Sequence, residues 1–72
     1  MEIDTKAMGE KLVKLRGNRT QSEVAEALGI SKSALGMYET GERIPRDAVK
    51  CRIANYYNRS VAYIFFNTKV HE

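Results

Sequence analysis

The sequence predicts an all-α domain, a compact five-helix bundle. Three observations carry this. Apolar residues recur at helical spacing, with no stretch of strand-like alternation to compete. Helix-start residues stand at regular intervals, at Thr20, Ser31, Pro45 and Ser60. The segments between them are short, two to six residues, as in a packed helical domain.

The first helix is capped by Asp4 or Thr5. Met8, Leu12 and Leu15 follow at i, i+4 and i+7 as one apolar stripe, with Lys6, Lys11 and Lys14 off it. Gly17-Asn18 ends it, because both residues tolerate left-handed backbone angles. Thr20 and Glu23 then form a capping box, T-x-x-E, and open a second helix running to about Leu28. Val24, Ala25 and Leu28 lie on its inner side, and Gly29 turns the chain sharply at little steric cost.

Ile30 plugs the turn, and Ser31 caps a third helix. At 100° per residue, Ser31, Ala34, Leu35 and Tyr38 fall on one side. Lys32, Ser33, Gly36 and Met37 fall on the other, and Thr40-Gly41 stops the helix. Pro45 suits the first position of a fourth helix, whose inner stripe is Val49, Ile53, Ala54 and Tyr57, with Tyr56 at the rim. Asn58 ends that helix. Ser60 caps a last short one, VAYIFF, with Val61, Ile64 and Phe65 facing in. The expected layout is one domain over 1–72, with its core at about 6–66, a helix-turn-helix at about 20–39 and a loose tail at 67–72.

Composition narrows the function. A 72-residue chain buries only about 60% of its unfolded surface and has little room for a deep catalytic cleft. Cys51 is the only cysteine, expected as a half-buried small hydrophobe on a helix, and His71 is the only histidine. That leaves no internal disulfide, no metal-ligand set and no thiol–imidazole pair. No paired acid and base and no glycine-rich phosphate loop are present either, so neither a catalytic residue nor a cofactor is expected. No run reaches the roughly 20 apolar residues that span a bilayer, and MEIDTKAM mixes charge too early for a signal peptide. A cytoplasmic protein without a membrane partner is expected. The net charge is +3, and residues 43–52, RIPRDAVKCR, set Arg43, Arg46, Lys50 and Arg52 against Asp47 alone. Such a balance favours a polyanionic partner.

The outward side of the third helix has the chemistry such a partner needs. Two helices joined by a Gly-containing turn can place the second in the DNA major groove, which is about 12 Å wide. Lys32 can donate to guanine O6/N7 or to a phosphate. Ser33 can donate or accept, and Met37 can lie against a thymine methyl. Gly36 lets the helix come close to the bases, at about 1 kcal/mol relative to alanine.

Three motifs, TQSEVAEALGIS at 20–31, YETGERIPR at 38–46 and IANYYNRSVAYIFF at 53–66, resemble the Cro/repressor-type helix-turn-helix domains. These form the xenobiotic-response-element family of bacterial and phage regulators, with a lambda-repressor-like fold. The resemblance covers roughly residues 7–66. It implies sequence-specific binding of double-stranded DNA by a transcriptional regulator, a repressor, acting as a homodimer on DNA.

By position, the resemblance puts Lys32, Ser33, Gly36 and Met37 at base edges. It puts Gln21, Ser31, Thr40, Arg43 and Arg46 at phosphates, with Gly41 in the same backbone-holding segment. It makes Arg16 and Glu39 a structural ion pair. Two features depart from the pattern. The RGNR loop is shorter than in many relatives, and glycine at 36 removes one common reading side chain, which shifts specificity towards DNA shape. The C-terminal stretch, with Tyr63 and Phe66 as its candidate exposed patch, is the expected dimer contact. An alternative use of the same fold is a protein-interaction module, such as an antitoxin-like partner, whose Lys32/Ser33/Met37 face would be covered by protein.

Overall fold

The computed structural model describes residues 3–66. Its elements are α1 (Thr5–Arg16), α2 (Gln21–Leu28), α3 (Lys32–Thr40), α4 (Asp47–Tyr57) and α5 (Ala62–Phe66), the last wound as a π-helix. No strand occurs among the described residues.

Local chemistry explains most of the boundaries. The Asp4 carboxylate accepts from the Ala7 amide at 3.1 Å and so starts α1. Thr20 and Glu23 close their capping box in both directions, Glu23 N to Thr20 Oγ1 at 3.0 Å and Thr20 N to Glu23 Oε1 at 3.4 Å. Ser31 Oγ accepts from Ala34 N, and Ser60 Oγ from Tyr63 N, both at 3.0 Å. The ends of α2 and α4 are left-handed, at Gly29 and Asn58.

One core joins all five helices. Met8 and Leu12 of α1 meet Val24, Ala25 and Leu28 of α2, Leu35 and Tyr38 of α3, Val49, Ile53 and Ala54 of α4, and Ile64 and Phe65 of α5. Leu15, Tyr57 and Val61, expected on inner stripes, pack against this core half-buried, as does Tyr56. The bundle is held closest where α1 crosses α3. Gly9 is buried there, and a Cβ on it would run into the carbonyl of Glu39. A Cβ on Gly41 would come within 2.8 Å of the Thr5 carbonyl. Two glycines on opposite partners therefore set the distance between α1 and the C-terminal half of α3.

Three expectations are corrected. Pro45 does not open α4. It is fully buried two residues earlier, and Arg46 is the N-cap in extended conformation without a side-chain cap bond. The ring serves as a core plug, so the chain stays extended until it has cleared the interior. Cys51 is exposed rather than half-buried. It stands two residues past Val49, about 200° round the helix and away from the core. The last helix is one wide π turn rather than an α-helix. The expected loose tail, with Lys69 and His71, lies outside the described residues. Among those residues no helix is long and apolar enough to cross a membrane.

The close crossing makes a direct prediction. Gly9→Ala, whose methyl meets backbone rather than a yielding side chain, should destabilise the domain by about 1–3 kcal/mol. Thermal unfolding reads this as a fall of roughly 4–8 °C per kcal/mol. A melting temperature equal to that of the parent chain would contradict the tight α1–α3 contact.

Candidate nucleic-acid interface

The face begins with what anchors its back. Glu39 sits at the edge of the inner side of α3, and its side chain is 3% exposed. Such a carboxylate is costly to bury unless both oxygens are satisfied. Here they are. Arg16 Nε of α1 donates to Oε2 at 2.7 Å, and Gln21 Nε2 of α2 donates to Oε1 at 2.8 Å. Arg16 also donates through Nη1 to the Arg19 carbonyl at 2.8 Å, drawing in the α1–α2 loop. The bond to Glu39 holds the Arg16 guanidinium above its ordinary pKa, against the cost of burial. One carboxylate thus ties α1, α2 and α3 together.

The loop is held from α4 as well. The Arg19 guanidinium lies 5.3 Å from the Tyr56 ring centroid and 5.7 Å from that of Tyr57. The two tyrosines pack edge to face at 5.1 Å. The Tyr57 hydroxyl is buried without a hydrogen-bond partner among the described residues. Burial first, and the nearby Glu39 carboxylate second, push this phenol up to about 12. The cations Arg19 and Arg16 pull the other way, and Tyr56 adds a small upward push.

With its inner side anchored, α3 turns Lys32, Ser33, Gly36 and Met37 outward. Lys32 and Ser33 are exposed, and Gly36 and Met37 are half-buried. Gly36 differs from Gly9. A Cβ there would meet only Gln21 Nε2, at 4.0 Å, an ordinary contact. Packing among the described residues does not require glycine at this position.

The candidate phosphate ligands differ in the donors they have to spare. The Ser31 hydroxyl accepts from Ala34 N, which leaves its proton for an outside acceptor. Gln21 commits one Nε2 hydrogen to Glu39 and keeps the other. The Thr40 hydroxyl donates to the Met37 carbonyl at 3.2 Å, so contact with an anion requires it to turn. Arg43 and Arg46 are exposed, and neither has an ion-pair partner among the described residues. The arm carrying them is held by backbone. Glu42 N and Arg43 N both donate to Met37 O, at 2.9 and 3.3 Å.

Gly9, Arg19 and Arg52 escape a reading of the sequence, although each fixes the geometry. Arg52 Nη1 donates to Leu28 O at 2.7 Å, from α4 to the end of α2. Each role depends on a partner far along the chain, and no local pattern announces it.

A bundle whose third helix is anchored on its inner side, with a basic arm behind it, has the architecture of a DNA-binding transcriptional regulator, the class to which the family match below assigns it. The chain belongs to the helix-turn-helix family, of the Cro/C1 type, whose profile matches residues 10–64.

Two solved structures share the fold. The solution structure of the SOS-response transcriptional repressor LexA from Eubacterium rectale superposes with a TM-score of 0.82 at 23% identity, covering 100% of this chain and 80% of that one. The crystal structure of the clp gene regulator ClgR from C. glutamicum gives 0.70 at 26% identity, covering 83% of this chain and 80% of that one. No curated protein matches the chain.

Two predictions test the anchoring network. Arg16→Met leaves the buried Glu39 carboxylate with one donor fewer and should cost about 1.5–3 kcal/mol. Adding Glu39→Met to it should recover part of that loss, because no charge is then left buried. Denaturant unfolding of the two single variants and the double variant measures this, and strictly additive losses would refute the pairing.

The second concerns Tyr57. Its phenol titrates at about 10 when unfolded and about 12 when folded. Between those values the folded chain retains a proton that the unfolded chain gives up. The contribution is therefore complete below pH 10 and is lost as pH rises towards 12. Tyr57→Phe should run parallel to the parent below pH 10 and lose less stability above it. Parallel curves through pH 12 would contradict the burial of the hydroxyl.

Proposed function

We propose that this chain is a sequence-specific repressor that binds duplex DNA as a homodimer and lays α3 in the major groove. The observation that carries this is the contrast between the two sides of α3. On one side Leu35, Tyr38 and Glu39 are buried and fixed. On the other, Lys32 and Ser33 are exposed beside a glycine that the fold does not need.

In this reading Lys32 and Ser33 meet base edges, Gly36 lets the backbone approach, and Met37 lies against a thymine methyl. Ser31, Gln21, Thr40, Arg43 and Arg46 take phosphates and set the register without reading sequence. The buried Glu39 network fixes where Gln21 stands relative to α3, so phosphate and base contacts fall in register together. With few side chains reaching the bases, shape and deformability of the duplex carry part of the discrimination. Two copies would address half-sites about 34–36 Å apart. Tyr63, an exposed large aromatic of α5, and the half-buried Phe66 supply the apolar surface for contact between copies.

Selection of bound duplexes from a random pool, at two salt concentrations, tests the proposal. A two-fold-symmetric site whose affinity falls steeply with salt is expected. Recovery of no preferred sequence would refute it. On the selected duplex, Arg43→Ala should weaken all sequences alike and reduce the log–log salt slope by about 1. Lys32→Ala should cost about 1–3 kcal/mol and relax preference at a single base pair. An altered base preference for Arg43→Ala, or an unchanged one for Lys32→Ala, would reverse the assignment of those two residues.

A further inference from the structure

We propose that Arg52 is a positioning residue for α3: from α4 its guanidinium clamps the turn between α2 and α3 and so sets the angle at which α3 is presented. The inference rests on the DNA-binding role proposed above and adds a residue that no motif of the sequence assigns to it.

The carbonyls of a helix's last turn lack intrahelical donors. At the end of α2 the backbone supplies some replacements. Gly29 N turns back to Ala25 O and Glu26 O, and Ile30 N donates to Ala25 O at 3.0 Å. The Leu28 carbonyl lies outside this set, and Arg52 Nη1 takes it at 2.7 Å. The bond is charge-assisted, and it brings a cation to the negative end of a helix that has no basic residue in its own last turn.

The clamp also closes over the bend itself. Gly29 is left-handed at φ 71°, and a Cβ there would lie 3.2 Å from the same Nη1. The guanidinium thus fills the space beside the residue whose conformation decides the direction of α3. Ser31, Lys32 and Ser33 follow within four residues of that bend. A change of a few degrees at Gly29 moves all of them together. Arg52 therefore acts on base reading through the turn, from a helix that packs on α2 rather than from the outward face of α3.

The test uses the full chain with the duplex selected from the random pool and a scrambled duplex of equal length. Arg52→Ala, Arg52→Met and Arg52→Lys are compared with the parent in binding to both. Amide hydrogen exchange follows Ile30 in the turn against Leu12 in the core. Arg52→Ala and Arg52→Met should weaken the selected duplex about tenfold, the scale of one charge-assisted hydrogen bond, and leave the scrambled duplex within about twofold. The Ile30 amide should lose protection relative to Leu12, and Arg52→Lys should restore part of both effects.

Equal losses on the two duplexes would make Arg52 a phosphate ligand and overturn the proposal. So would unchanged binding, or unchanged Ile30 protection. If the parent chain selects no duplex, the DNA-reading role falls, and Ile30 exchange still decides whether the clamp exists.

Discussion

The fold depends on how closely α1 can cross the C-terminal half of α3. Gly9 gives up its side chain to the Glu39 carbonyl, and Gly41 gives up its own to the Thr5 carbonyl. The crossing has two consequences. It buries Leu12 and Leu35 in the common core. It also brings Arg16 to within 2.7 Å of a carboxylate that would otherwise be stranded. Sterics come first in this order, because a buried Glu39 without its donors would oppose the packing that buries it.

That carboxylate then organises the polar half of the site. Its oxygens are divided between α1 and α2, so Gln21 is oriented by the same group that fixes α3. Both the side chain proposed to hold a phosphate and the helix proposed to read bases are referred to one buried charge. The arm beyond α3 is tied in by backbone, through donors converging on Met37 O. The exposed arginines of that arm have no ion-pair partner among the described residues, and the arm's backbone bonds do not depend on them.

What the sequence made legible was local. Capping chemistry at Thr20, Ser31 and Ser60 lies within three residues of its effect, and so does the left-handed stop at Gly29. The inner stripes of α1 to α4 follow from periodicity. The missing N–H of Pro45 suits a helix start as well as a buried plug, and only the core decides between them. For Cys51 residue type favours burial where helix angle does not, and the angle prevails. The π winding of α5 has no local signature in VAYIFF. At the candidate site, the outward face of α3 was readable from spacing alone. The donors each phosphate candidate has already spent were not, because they depend on neighbours brought in by folding.

Gly36 is the weak point of α3. A glycine inside a nine-residue helix weakens it by about 1 kcal/mol relative to alanine. Gly9 repays a similar cost with a close helix crossing, whereas a Cβ on Gly36 would make only an ordinary contact with Gln21 and no such return is found among the described residues. The helix tolerates it because both ends are fixed. Its start follows a turn held by Ser31 and Arg52, and its end is held by Glu39 and the Gly41 contact. A helix pinned at both termini can carry a weak centre without fraying, since breaking it there frees few residues. The internal packing therefore explains how Gly36 is accommodated, and the proposed DNA contact supplies a reason for its presence, since the missing side chain leaves the outward backbone of α3 uncovered.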